Sequence, residues 1–226
     1  MNTNEPSTLS DDAALDPAAM LALAQSQQKL IAGQMGSFVP LILLAWGIAW
    51  LLGFGALWLV DGLGDAFSLP IAVAAPIFGG LLLAAGALST VLGIRSGRGL
   101  RGGKEGAFAG IVYGQSWWVG SVAVWLIGQA LVVNGMSTEL LGIFYPSAFI
   151  FFAGIMYISA GVIWKAIPMV ALGLWSVVLS AVAPFFGNPT HYLIFAIAGG
   201  GSFLVASFAS IVWLRRARHR IAGERS

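Results

Sequence analysis

Charged residues divide this chain into long apolar runs. None stands between Lys29 and Asp61, between Asp65 and Arg95, between Glu105 and Glu139, or between Glu139 and Lys165. From Lys165 to Arg215 there is again no charge, over a length that suits two helices. A helix needs about 20 apolar residues to cross a hydrocarbon layer about 30 Å thick. Barrel strands are about 10 residues of strict alternation, which these runs do not show. Only helices or closed barrels satisfy their backbone in lipid, so the runs predict membrane-crossing helices.

Five of the spans follow directly, at 38–60, 70–93, 108–133, 142–164 and 167–186. The last uncharged run is broken by Pro184, Gly187, Asn188 and Pro189, a cluster of turn formers, and resumes as a sixth span at 191–214. The expectation is an all-α, polytopic membrane bundle of six transmembrane helices.

Orientation follows from the basic residues. Lys29, Arg95, Arg98, Arg101, Lys104, Lys165, Arg215, Arg216, Arg218, Arg220 and Arg225 all fall on one side of a six-span layout. The opposite loops carry only Asp61, Asp65 and Glu139. The positive-inside bias then puts both termini in the cytoplasm, with the plasma (inner) membrane as the expected location. Trp58, Trp164 and Trp213 stand just before charged residues, where interfacial tryptophans belong.

Composition agrees. Charged residues are 9% of the chain, against about 25% in a soluble domain, too few to cover a water-facing surface. The net charge of +2 does not call for nucleic acid, because the basic residues flank apolar segments and are explained by topology. There is no cysteine, hence no disulfide and no thiolate site. Glu5, Asp11, Asp12 and Asp16 make residues 1–19 unlike a signal peptide.

Outside the bundle at 36–214, the chain divides into a disordered cytoplasmic tail at 1–16, a short helix at 17–35 and a basic tail at 215–226. Asp16 and Pro17 form a helix-start signal. Residues 17–35 then form either an interfacial helix, with Met20, Leu23, Leu30 and Ile31 on one face, or a plain extension of span one.

Small residues at four-residue spacing let membrane helices approach closely. Gly106, Gly110 and Gly114 open span three, and Ala198, Ser202, Ala206 and Ser210 run along span six. With span two, these are the helices expected at the packed centre. Pro76, with Gly79 and Gly80, is a candidate hinge in span two, and Gly199–Gly201 a candidate loosening of span six. Gly47-Ile48-Ala49-Trp50 echoes Gly154-Ile155-Met156-Tyr157 three helices later, so a 3+3 inverted repeat is one reading.

Chemistry is sparse. No Asp or Glu lies within a span, and His191 and His219 are the only histidines. That gives no paired carboxylates, metal cluster or activated nucleophile, so neither enzyme nor metal site nor cofactor is expected. Ion-coupled carriers keep an intramembrane carboxylate, so classical coupling is not expected either. His191 is expected as a solvated interfacial residue, with pH sensing or an entrance as the functional alternative.

The most polar stripe is on span three. Gln115, Trp118, Val122, Trp125 and Gln129 share a face and are candidates to line a solute path. Ser176 and Ser180 on span five are candidates for the same interior. The plain alternative is bundle packing. The loop carrying Arg95, Arg98, Arg101 and Lys104 is Gly-rich and basic, without the Walker A arrangement, and is a candidate for anionic lipid or a cytoplasmic partner protein.

Three stretches carry a resemblance: Ala45–Gly53, the Gly/Arg loop at 93–103, and Tyr113-Gly114-Gln115-Ser116-Trp117-Trp118-Val119-Gly120. They resemble small bacterial six-helix proteins labelled transporter or ABC-type permease subunit. The resemblance implies a membrane transport role without a particular substrate or site residues. The loops meant to hold an ATPase are short here, which sets the chain apart from an ordinary permease. The acetate-channel motif Asn-Pro-Ala-Pro is absent, Asn188-Pro189 being only part of it.

The leading reading is therefore a channel-like or permease-like component for a small solute, surrounded by membrane lipid and open to homo-oligomer formation. Its alternative is a non-transport scaffold or sensor that binds a partner or anionic lipid through the basic loop and tail.

Overall fold

The structure, a computed structural model, describes residues 17–97 and 104–223. Residues 1–16, which include the acidic tail, lie outside them, as do Arg98, Arg101 and Arg225.

Every long element is a helix. They are α1 (Pro17–Trp58), α2 (Ile71–Gly97), α3 (Lys104–Val133), α4 (Thr138–Ile163), α5 (Ile167–Val182), α6 (Thr190–Ile194) and α7 (Gly201–Gly223). A π-helical stretch, Phe195–Gly200, joins α6 to α7. Among the described residues, six segments are long and apolar enough to cross a membrane: Phe38–Trp58, Ile71–Arg95, Gly106–Val133, Thr138–Ile163, Ile167–Phe186 and Thr190–Arg216. This is the architecture of a multi-pass integral membrane protein, and each span starts and stops within a few residues of where the charges predicted.

Residues 17–35 belong to α1, which continues unbroken through Pro40 into span one. At 1.5 Å per residue its 42 residues make a rod of about 63 Å, roughly twice the hydrocarbon thickness.

The ends of α3 and α4 show how the chain turns. Both close with the same paired bonds. Met136 N–H donates to Leu131 O, and Gly135 N–H to Val132 O, at 2.9 and 3.0 Å. Ala166 N–H donates to Gly161 O, and Lys165 N–H to Val162 O, at 2.8 and 3.4 Å. This closure needs a left-handed residue, which is Gly135 (φ 93°) in the first case and Lys165 (φ 53°) in the second.

The packed centre differs from the expected one. It is built from spans one, four, five and six. Within its most apolar stretch, 39% of span one is buried, against 11% of span two and 6% of span three. Span two packs chiefly on α1 and span three chiefly on α4. Leu43, Trp50, Phe54, Ile150, Leu172, Leu179, Phe195 and Phe203 form the apolar core.

Close approach is managed by glycines other than those the spacing singled out. A Cβ on Gly200 would stand 2.7 Å from Leu51 N, where span six meets α1. Gly154 and Gly173 meet where α4 crosses α5. Gly120 makes room for Phe152, and Gly128 for Tyr145, where α3 meets α4. By contrast, nothing lies within 4 Å of a Cβ built at Gly106, Gly110 or Gly114. Such spacing marks where helices can approach, and the bulk on the facing helix decides where they do. Phe152 and Tyr145 have rings that need the room.

Candidate functional site

The polar stripe of span three divides between two fates. Gln129 faces α4, where its Nε2 donates to Tyr145 Oη at 2.8 Å, and that hydroxyl donates in turn to Trp125 O at 3.1 Å. These bonds tie the C-terminal half of α3 to α4. Gln115 points away from the bundle. It lines an open groove of about 480 Å³ with Ile111, Val112, Ser116, Val119 and Gly120. Trp118 is 74% exposed and borders a second open groove of about 420 Å³ with Val122 and Leu126. Trp125 is half exposed. The structure therefore does not bring Gln115, Trp118 and Gln129 around one interior space.

Ser176 and Ser180 are buried, but each donates to its own helix, to Leu172 O at 2.9 Å and Val177 O at 2.7 Å. Their hydroxyls are spent on backbone, and α5 packs chiefly on α4. Ala198 and Ala206 on span six pack against the core, and Ser202 donates to Gly199 O at 2.7 Å. Ala198 O also accepts from Trp175 Nε1 at 3.0 Å, which anchors the π-helical stretch to α5.

In span two, Pro76 is exposed within a continuous α2, and no atom lies within 4 Å of a Cβ built at Gly79 or Gly80. Trp46 Nε1 donates to Ser89 Oγ at 2.9 Å and holds α1 to α2. Of the basic loop, Arg95 is exposed near the end of α2 and Lys104 opens α3. Arg98 and Arg101 are outside the described residues.

The middle of the bundle is filled by rings. Phe203 on α7 lies between Trp50 of α1, at 5.0 Å between centroids, and Tyr157 of α4, at 5.8 Å. Trp117 of α3 continues the column, 6.0 Å from Tyr157 and 5.5 Å from Phe152. Phe54 packs on Phe195 and Tyr192 at the acidic end. Among the described residues, no fully buried side-chain nitrogen or oxygen lacks a hydrogen-bond partner. No group of three or more metal-ligating side chains occurs among them either.

Comparison with protein-family models finds no match, and neither a curated protein nor a solved structure matches the chain.

The most distinctive polar group is one that the sequence assigns to solvent. His191, at the acidic end of span six, has no exposed surface. Its Nδ1 lies 3.0 Å from Gly187 O and its Nε2 3.2 Å from Gly142 O. Tyr192 Oη donates to the same Gly142 carbonyl at 3.1 Å. The imidazole thus joins the start of span six to the first turns of α4. The available signal was position. A histidine one residue after Pro189-Thr190 lies inside the first helical turn, where a neighbouring helix can cover it.

Proposed function

We propose that this integral membrane protein acts as a scaffold or sensor in the bilayer, and not as a self-contained channel. The observation that carries this reading is the ring column of Trp50, Phe203, Tyr157 and Trp117, which fills the place where a path through the chain would run. The outward aspect of Gln115 and Trp118 supports it. In this reading both termini are cytoplasmic, in the inner membrane. The working surface is the basic side, with Arg95, Arg98, Arg101, Lys104 and the tail from Arg215 engaging anionic lipid or a cytoplasmic protein.

A transport component is the second reading, favoured by one relationship. Span one packs on spans two and six, while span four packs on spans five and three, as a 3+3 inverted repeat requires. Trp50 against Phe203 and Tyr157 against Trp117 occupy corresponding places in that scheme.

Reconstitution separates the two. Purified protein in proteoliposomes is expected to carry no flux of small polar solutes above that of empty vesicles. Neutralising Arg95, Arg98 and Arg101 is expected to abolish binding to vesicles containing anionic lipid or capture of a cytoplasmic protein. Solute flux that disappears in a Gln115→Leu/Gln129→Leu variant would instead establish the transport reading.

A further inference from the structure

We propose that His191 is a proton-operated clasp between spans four and six. Both nitrogens of this buried ring face carbonyl oxygens, Gly187 O at 3.0 Å and Gly142 O at 3.2 Å. A neutral imidazole carries one N–H, and an imidazolium carries two. In the neutral ring only one of these contacts is a hydrogen bond, and the other sets a nitrogen lone pair against an oxygen lone pair. Protonation turns both into charge-assisted bonds, which are shorter and stronger than neutral ones.

The bond at stake ties separate parts of the fold. Gly187 belongs to the turn between spans five and six, and Gly142 to the second turn of α4. Each carbonyl already accepts another donor. His191 N–H reaches Gly187 O at 3.0 Å, and Tyr192 Oη reaches Gly142 O at 3.1 Å. The ring therefore acts on contacts that exist in either state, and its proton sets how tightly they close.

The surroundings place no competing charge on it. From α4, the nearest titratable groups in sequence are Glu139 and Tyr145, one turn to either side of Gly142, and Glu139 is exposed. From α1 the facing group is Phe54, which packs on Tyr192 and Phe195, and Asp61 lies beyond the helix end. The turn Ala183–Phe186 is uncharged. On its own segment the neighbours are Tyr192, 3.9 Å away ring to ring, and Phe195 at 5.9 Å. Among the described residues His191 makes no ion pair, and its ring nitrogens face only the two carbonyls. Asn188 and Thr190 beside it are exposed, which gives a proton a short route from the membrane surface. The clasp is independent of whether the chain moves a solute.

The test uses the full chain in lipid nanodiscs with His219→Gln, which leaves His191 as the sole histidine. Labelled imidazole nitrogens are followed by NMR between about pH 8 and about pH 5, the range in which histidine changes charge. Two proton-bearing nitrogens are expected at the acidic end and one at the other. Amide exchange over residues 187–194, corrected for its intrinsic pH dependence, is expected to slow about fivefold on acidification, the effect of one hydrogen bond. The slowing is expected to vanish in His191→Gln. A ring that keeps a single N–H throughout the range overturns the clasp, and this measurement needs no change at residue 191. Slowing that persists in His191→Gln overturns it as well.

Discussion

Gly154 and Gly173 meet backbone to backbone where α4 crosses α5. A Cβ on Gly154 would stand 2.8 Å from Gly173 O, and one on Gly173 would stand 2.6 Å from Gly154 O. Neither obstacle is a side-chain end that can swing aside. Gly173→Val should therefore destabilise the protein by about 3 kcal/mol, the upper part of the usual overpacking range. Gly110→Val, facing open space, should leave the unfolding midpoint within error. Thermal unfolding of the two purified variants in detergent checks the pair, and equal midpoints would contradict this packing.

This contrast also shows what the sequence could convey. The span boundaries were legible because each is set by a charge or a turn cluster, such as Asp61 or Gly187-Asn188-Pro189, and charge in lipid is costly wherever the helices pack. The packing was not legible. Gly106, Gly110 and Gly114 have the same spacing as a real interface, but the bulk opposite them is missing. Gly120 and Gly128 carry the α3–α4 contact because Phe152 and Tyr145 happen to face them, which no local pattern reports. The candidate site fared likewise. Gln129 meets a partner because Tyr145 is opposite, while Gln115, on the same stripe, has only a groove beside it. His191 looked like a surface residue because its two acceptors are backbone carbonyls, and one of them is 49 residues away.

The Gln129–Tyr145–Trp125 connection predicts a coupling. Tyr145→Phe removes the hydroxyl that accepts from Gln129 and donates to Trp125 O. Bonds between membrane helices average about 0.6 kcal/mol and reach about 1.7. Tyr145→Phe should cost about 1 kcal/mol, and adding Gln129→Leu should cost little more. A double-mutant cycle by chemical or thermal unfolding reads the coupling, and strict additivity would mean that the two side chains act separately.

Ser176 and Ser180 predict tolerance. Each hydroxyl bonds a carbonyl of its own helix, so its removal exposes no other buried group. Ser176→Ala and Ser180→Ala should each change stability by less than about 0.5 kcal/mol. Ser207→Ala should cost more, about 1 kcal/mol, because that buried hydroxyl links α7 to Pro40 O of α1 at 2.8 Å. Unfolding midpoints for the three variants, measured side by side, give the ranking.

Lys165 predicts a gain. It holds the left-handed position that Gly135 holds at the end of α3. That conformation costs a side-chain-bearing residue about 1 kcal/mol, part of which returns as the greater freedom of glycine in the unfolded chain. Lys165→Gly should raise stability by about 0.5 kcal/mol. A lowered midpoint would show that the lysine side chain makes a larger contribution at the interface than its backbone costs.

The unbroken course of α1 makes it a lever. With about 30 Å of helix on each side of its entry into the bundle, the part outside cannot be repositioned without turning the part inside, short of breaking the helix. A tilt of about 10° about Gly47 and Trp50 would carry the far end of the rod, about 45 Å away at the helical rise, sideways by about 8 Å. Gly47 sits under Leu204, and Trp50 is wedged against Gly199 and Phe203, so this lever pivots on the same contacts that hold span six.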